Sequence, residues 1–156
     1  MKSLSILSLL FITLVSCDCQ KKTVETSPNI TSEKVQKNDM LLVYEANTRG
    51  FYQKITVQNQ ELYVSRDRNS EEKGVVSKIS DNDWKELIAY MNILKVEELA
   101  TYKDPTQKRF YDGAAIANLK VTSKEKVYKT VDFDNGFPPV EIEKLVNKIT
   151  SLVKEE

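Results

Sequence analysis

The apolar residues of this chain fall into two sets, one near the N-terminus and one within residues 40–156, and only the second set can build a folded core. The first set is an almost unbroken run at residues 4–15. Residues 18–39 then form a stretch rich in Lys, Thr, Ser, Asn and Gln, which holds too little apolar surface to offset the entropy of ordering it. We therefore predict an N-terminal segment at residues 1–16, a flexible tether at residues 17–39 and a single folded domain at residues 40–156.

The N-terminal segment has the features of a secretory signal. Lys2 gives it a positive start, and its apolar run is too short to cross about 30 Å of hydrocarbon as a helix. The run ends in Leu14-Val15-Ser16-Cys17, which resembles the cleavage signal of bacterial lipoproteins. This resemblance implies cleavage before Cys17 and acylation of its thiol and new amino group, for instance with palmitate, which would anchor the chain in a lipid bilayer. The alternative is an ordinary signal peptide in which this cysteine is incidental.

A lipid anchor predicts a place in the cell envelope, most simply facing the periplasm. Asp18 follows the cysteine, and in enterobacterial lipoproteins that residue favours retention in the inner membrane; for this chain both membranes stay open. The tether of about 22 residues has a root-mean-square reach of roughly 25 Å, which holds a domain clear of the lipid headgroups. Cys19 lies in this tether and is either a spare thiol, a partner in an intermolecular disulfide or a second acylation site.

Residues 51–64 predict a hairpin. Phe51, Ile55 and Val57 alternate with polar residues, and a two-residue turn at Asn59-Gln60 would pair Val57 with Leu62 and Ile55 with Val64 on one face. Four further strands are predicted at residues 41–44, 75–78, 114–122 and 127–133, with a three-residue loop at Ser123-Lys124-Glu125 between the last two. In the final strand, we expect Val127, Val131 and Phe133 to point inward.

Two helices complete the predicted fold. Ser80 is placed to cap the first helix at Asp83, and its apolar stripe includes Trp84 and Leu87. A weaker helical turn is predicted at residues 96–99. Pro138-Pro139 leads into the last helix, whose stripe runs from Ile142 to Val153. The pattern indicates an α+β fold in which two helices pack on one face of an antiparallel sheet of five or six strands.

Two segments of the domain carry a resemblance. The segment Asp104-Pro105-Thr106 leading to Arg109-Phe110-Tyr111-Asp112-Gly113-Ala114, and the later Phe133-Asp134-Asn135-Gly136-Phe137-Pro138-Pro139, resemble small uncharacterised lipoproteins of Bacteroidetes-type bacteria. The resemblance extends over most of residues 40–154. It implies the same domain boundaries and an envelope location, and it implies no activity.

Composition narrows the possible chemistry. The chain has no His, which removes the usual general base, the Ser-His and Cys-His nucleophile pairs and the commonest zinc and haem ligand. With 23 basic and 23 acidic residues, it has no excess of positive charge for nucleic acid. We predict no cofactor, no metal and no catalysis. One alternative is a glycosidase carboxylate pair drawn from Asp112, Asp132 and Asp134, which a hairpin would bring together. The other is a calcium loop that begins at Asp132, with Asp134 at its third position and Glu143 at its twelfth. The simpler interpretation is that these aspartates form ordinary turns.

Two surfaces are candidates for binding. Tyr52, Tyr63 and Tyr128 are predicted on the outward face of the sheet, where they would serve either recognition or only strand formation. Phe110, Tyr111 and Phe137 are predicted in loops at one end of the second hairpin, where they would either form an apolar tip or fold inward over the core. We predict a non-catalytic lipoprotein that binds an envelope protein or glycan. An inhibitor of a secreted hydrolase and a carboxylate-dependent hydrolase are the alternatives.

Overall fold

A computed structural model describes residues 40–69 and 74–154. The N-terminal segment and the tether, with Cys17 and Cys19, lie outside the described residues. Neither helix of the described part has the length and hydropathy needed to cross a membrane.

One antiparallel sheet forms the centre of the domain. Its strands are β1 (Leu41–Thr48), β2 (Phe51–Gln58), β3 (Glu61–Ser65), β4 (Val75–Lys78), β5 (Ile116–Ser123), β6 (Lys126–Lys129) and β7 (Phe133–Asp134). The order across the sheet is β4-β3-β2-β1-β5-β6, and the short β7 also pairs with β5. The helices are α1 (Asp81–Ile93) and α2 (Glu143–Ser151), with 3-10 helices at Val96–Thr101 and Lys108–Tyr111.

The predicted α+β class is therefore confirmed, with one more strand than the upper expectation. The extra strand is β7, which has two residues and lies alongside β5 beyond the end of β6. The helical turn predicted from residue 96 forms the first 3-10 helix.

The β2–β3 hairpin has the predicted register. Val57 pairs with Leu62, and Ile55 pairs with Val64. Asn59 and Gln60 both adopt positive φ angles, of 52° and 66°, as a two-residue turn between twisted strands requires. The alternating pattern fixes this register because a slip of one residue would turn every apolar side chain toward water.

The β5–β6 hairpin corrects the prediction. Its turn has two residues, Lys124 and Glu125, with φ angles of 49° and 66°, in place of the expected three-residue loop. The shorter turn shifts β6 by one position. Val127 therefore pairs with Thr122 on the outward face and is 61% exposed, while Tyr128 pairs with the buried Val121. The inward position predicted for Val127 and the outward position predicted for Tyr128 are both wrong.

A one-residue bulge then separates β6 from β7. Lys129 pairs with Lys120, whereas Phe133 pairs with Ala117, so the chain at 130–132 has one residue more than the strand opposite it. The buried Thr130 fills the gap, because its hydroxyl accepts a hydrogen bond of 3.1 Å from the backbone N–H of Leu119. The bulge restores Phe133 to the predicted core position but leaves Val131 exposed, contrary to prediction.

Both helices pack on one face of the sheet, as predicted. Ser80 caps α1, since its hydroxyl accepts a hydrogen bond from the backbone N–H of Asp83. Leu87 of α1 and Ile149 of α2 enter the same buried cluster as the inward residues of the central strands. Lys148 of α2 donates to Asp83 at 2.8 Å and therefore ties the two helices together at their surface.

Candidate functional site

The second 3-10 helix, Lys108–Tyr111, projects a short turn beside the start of β5. The turn ends at Asp112, which adopts a left-handed conformation with a φ of 59°, a region that Asp tolerates better than most residues. Gly113 then donates its backbone N–H to the carbonyl oxygen of Lys108 at 2.8 Å. A Cβ atom at Gly113 would lie 2.9 Å from the Cε2 atom of Tyr111, so glycine permits the chain to close tightly under the ring.

Asp134 holds this turn from below. Its side chain is fully buried, although it belongs to a strand of only two residues. Its carboxylate accepts hydrogen bonds from the backbone N–H groups of Lys108 and Arg109, at 2.6 and 3.1 Å, and from the hydroxyl of Thr106. The first turn of the 3-10 helix is therefore fixed to the sheet through one carboxylate.

Arg109 completes what we call the Arg109 network, which consists of Asp104, Thr106, Arg109 and Asp134. Its guanidinium lies between the carboxylates of Asp104 and Asp134, and its Nη1 atom is 3.0 Å from Asp134 Oδ1. The same nitrogen donates to the carbonyl oxygen of Thr106 at 3.2 Å. Charged groups removed from water need such partners, since an unpaired charge in the interior would destabilise the fold.

The network keeps Asp134 ionised. Burial favours the neutral acid, but the hydrogen bonds from Thr106, from the Arg109 side chain and from the two backbone N–H groups outweigh burial and lower its pKa to about 2. At neutral pH the group is a carboxylate whose oxygens are engaged by the protein itself. Asp134 is thus suited to positioning the turn.

The turn presents aromatic rings to solvent. Phe110 and Tyr111 are each 71% exposed, and Phe137 is 41% exposed. We call these three residues the aromatic tip. Lys108 links its parts, because its Nζ atom lies 3.7 Å from the ring centroid of Phe137, an arrangement suited to a cation–π interaction. Of the two interpretations of these rings, the structure agrees with outward projection and not with a cap over the core.

The aspartates of the hydrolase hypothesis face different surroundings. Asp134 points into the Arg109 network, Asp132 pairs with Lys129 at 3.3 Å near the surface, and Asp112 is exposed at the end of the 3-10 helix. A glycosidase pair needs two carboxylates that flank a space for substrate. Asp134 does not provide one of them. In the described residues, no cluster of three or more acidic, His or Cys side chains is arranged to hold a metal ion.

The tyrosines predicted on the sheet do not form one surface. Tyr52 and Tyr63 are on the face opposite the helices, but Tyr63 pairs with Thr56 and so lies four positions from Tyr52 along β2, roughly 13 Å away. Tyr52 lies under the guanidinium of Arg68, 5.8 Å from the ring centroid. Tyr128 packs against the core on the other face. The aromatic tip is therefore the more concentrated apolar feature.

Sequence reasoning identified the tip but missed what holds it. Asp134 follows the inward Phe133, so simple alternation places it in solvent, whereas both residues are fully buried. A signal was present in the cluster of Asp104, Thr106 and Arg109 within six positions, because such residues commonly bind one another in a turn. Their partner came from a strand 25 residues later, a distance that local pattern does not bridge.

Comparison with known proteins found no match among family models, curated proteins or solved structures. The resemblance to Bacteroidetes-type lipoproteins stays a prediction.

Proposed function

We propose that this protein is a lipid-anchored protein of the cell envelope whose domain binds another envelope component without catalysis. The observation that carries the proposal is the aromatic tip. Phe110 and Tyr111 are mostly exposed on a turn that a buried carboxylate holds in place. Exposed aromatic side chains in a fixed arrangement favour recognition, because they bury a large area on binding with little loss of conformational entropy.

The tip and the point where the tether would join lie at opposite ends of β1. The tether would join the domain at Met40, just before β1. The tip lies by the other end of this strand, since Asn47 pairs with Ile116 and Ile116 pairs with Asp134. With eight residues in β1, the two ends are about 25 Å apart. The tip therefore lies about one strand length from Met40, the residue at which the tether would join.

Inhibition of a secreted hydrolase is the second candidate. The favouring observation is that the tip is exposed and braced by hydrogen bonds, from the backbone N–H of Lys108 to Asp134 and from the backbone N–H of Gly113 to the carbonyl oxygen of Lys108. A loop that is already in its bound shape loses less entropy when it enters a cleft. A carboxylate-dependent hydrolase is less well supported, since Asp134 is engaged by the network and only Asp112 and Asp132 remain accessible.

Crosslinking in intact cells tests the binding proposal. The full-length protein is crosslinked, captured by an affinity tag and examined by mass spectrometry. A matched pair of variants accompanies it: Phe110→Ser with Tyr111→Ser removes the exposed rings, and Val127→Ser removes an exposed side chain elsewhere. We expect one stoichiometric partner with the wild type and with Val127→Ser, and at least a tenfold loss with the double variant.

Two results would contradict the proposal. Equal capture of the partner by all three proteins would show that the aromatic tip is not part of the binding surface. Turnover of envelope polysaccharide or peptide by the purified protein, abolished by Asp112→Asn or Asp132→Asn, would make it an enzyme. Loss of hydrolase inhibition on Phe110→Ser, with an unchanged melting curve, would select the inhibitor over a general binding role.

The anchor has its own test. Cys17→Ser should prevent acylation and release the protein from the membrane fraction or stall its precursor. The same fractionation for the variant and the wild type would overturn the lipid anchor while leaving the tip untouched. Cys19→Ser serves as the matched control, and we expect it to fractionate as the wild type does.

A further inference from the structure

The two edges of the sheet differ in how they are protected. Within the described residues, β6 and β4 each pair with one strand only. The β6 edge has Lys126 and Lys129 at its ends, is followed by the bulge and has the first 3-10 helix packed beside it. The β4 edge carries Val75 and Val76, which are 66% and 52% exposed. Proteins commonly protect sheet edges with lysines, bulges or covering segments. Both edges carry an exposed valine and a terminal lysine, since Val127 of β6 is 61% exposed and Lys78 ends β4. The bulge and the packed 3-10 helix beside β6 therefore make the β4 edge the better candidate for pairing.

The hydrogen-bond pattern shows which backbone groups of β4 face outward. Ile79, directly after β4, donates its backbone N–H to the carbonyl oxygen of Gln60 at 2.9 Å. Positions that exchange hydrogen bonds alternate along an antiparallel pair, so Ser77 and Val75 also direct their backbone groups toward β3. The N–H and C=O of Val76, and those of Lys78, therefore point to the free edge.

We propose that β4 pairs in antiparallel fashion with β4 of a second copy of this chain, about a two-fold axis at Val76. In that register the two Val76 residues exchange both of their outward backbone hydrogen bonds, and Gly74 lies opposite Lys78. Within the described residues 74–78, no like charges lie opposite each other, so this source of cross-strand repulsion is absent from that segment. Val76 is already paired with Tyr63 on the open face, so the second Val76 extends an apolar row across the junction. A two-fold contact of this kind is self-complementary and closes at two copies.

The size of the contact predicts its strength. A junction of four residues per strand lies well below the roughly 1,200–2,000 Å² that stable interfaces bury, so the pairing is weak between dilute molecules. Anchoring separate chains in one membrane would confine them to a thin layer and so raise their local concentration above that of the same chains in bulk solution. The higher local concentration of chains at the membrane depends on the proposed lipid anchor, whereas the pairing of the two β4 strands does not.

Crosslinking through Val76→Cys tests the register. Residues opposite each other at a hydrogen-bonded position have Cα atoms about 5.5 Å apart, within the range that a disulfide spans. The full-length chain carries Cys19→Ser to remove one native thiol, and Val127→Cys on the protected edge is the control. We expect oxidation of intact cells to give at least ten times more covalent dimer with Val76→Cys than with Val127→Cys. The same yield from both, or no dimer from Val76→Cys, would overturn the proposal.

Two further variants separate pairing from anchoring. Val76→Lys would set like charges opposite each other, whereas Val75→Lys would meet Ser77 of the second copy. We expect sedimentation of the full-length protein to show a concentration-dependent dimer with the wild type and Val75→Lys, and at least a tenfold weaker dimer with Val76→Lys. Equal dimerisation by both variants would contradict the two-fold register. A protein that carries Cys19→Ser as its only substitution tests the anchor separately. If Cys17 is not acylated, its free thiol would form disulfide-linked dimers in this protein, which has no cysteine in β4.

Discussion

The guanidinium of Arg109 lies 3.0 Å from the carboxylate of Asp134, and both side chains are withdrawn from water. This contact joins the turn that carries Phe110 and Tyr111 to the short strand β7. The direction in which the aromatic tip points therefore depends on an interaction beneath it.

Removing Asp134 should destabilise the domain far more than removing its neighbour Asp132. Asp134→Ala leaves the buried Arg109 with one carboxylate fewer and leaves two backbone N–H groups without their hydrogen-bond acceptor. We expect a loss of about 3–5 kcal/mol in the free energy of unfolding. Asp132 is half exposed and pairs only with Lys129. Asp132→Ala should therefore cost less than about 1 kcal/mol. Urea unfolding of the two variants measures the difference, and similar losses would show that the network contributes little.

Asp134 should also make stability depend on pH in the acid range. Its pKa in the folded protein is about 2, below the ordinary 3.8, so the unfolded chain takes up the proton first as pH falls. The contribution of this carboxylate is fully present above about pH 4 and is lost as pH falls toward 2. Asp134→Asn should flatten the stability curve across that window. The lowered pKa values of Asp83 and Glu86, both hydrogen-bonded to Lys148, give a residual slope in the same direction that the variant keeps. An unchanged slope in Asp134→Asn would contradict the assignment.

The two hairpins show which parts of the fold the sequence predicts and which it does not. Ile55 and Val57 alternate with polar residues up to the turn, and Leu62 and Val64 continue the apolar face after it, so one register satisfied both strands, and it is the register found. Beyond Ser123 the same reasoning failed. Val127, Val131 and Phe133 were all assigned inward because they are separated by even numbers of positions. The two-residue turn places Val127 outward, and the bulge at 130–132 then returns Phe133 to the core while Val131 stays exposed. The bulge depends on the Thr130 hydroxyl bonding across to Leu119, a tertiary contact that the pattern of apolar residues does not encode.

The candidate functional site was also predicted only in part. Phe110, Tyr111 and Phe137 were selected because the strand pattern places all three in loops at one end of the second hairpin. Their exposure was left open, since a ring in a loop can turn toward the core as readily as away from it. The turn that carries Phe110 and Tyr111 is held by the buried carboxylate of Asp134, contributed by a strand of two residues. So short a strand has no periodicity of its own to be detected.

Gly74 and Gly50 offer a matched test of the packing beneath β4. Both adopt φ angles near 80°, of 82° and 80°, where an added Cβ atom is strained. A Cβ atom at Gly74 would lie 2.1 Å from the carbonyl oxygen of Val64, whereas one at Gly50 would meet nothing within 4 Å. Gly50→Ala should cost about 1 kcal/mol from backbone conformation alone. Gly74→Ala should cost clearly more, because β4 must move away from β3. Equal melting temperatures for the two variants would show that β4 is loosely held.

The last prediction links the buried network to recognition. Asp134 is fully buried and cannot touch a partner, yet it fixes the backbone of Lys108 and Arg109 beneath the exposed rings. A flexible turn would have to be ordered at the moment of binding, and that entropy would be subtracted from the affinity. Asp134→Asn, measured at a temperature where circular dichroism shows the domain folded, should therefore weaken partner capture at least tenfold and speed hydrogen exchange of the backbone N–H groups of Lys108 and Arg109. Lys148→Met is the control, since it also removes a salt bridge but lies between the two helices. Capture that survives Asp134→Asn while exchange rises would show that the tip binds without being preorganised, and unchanged exchange would show that the network does not order the turn.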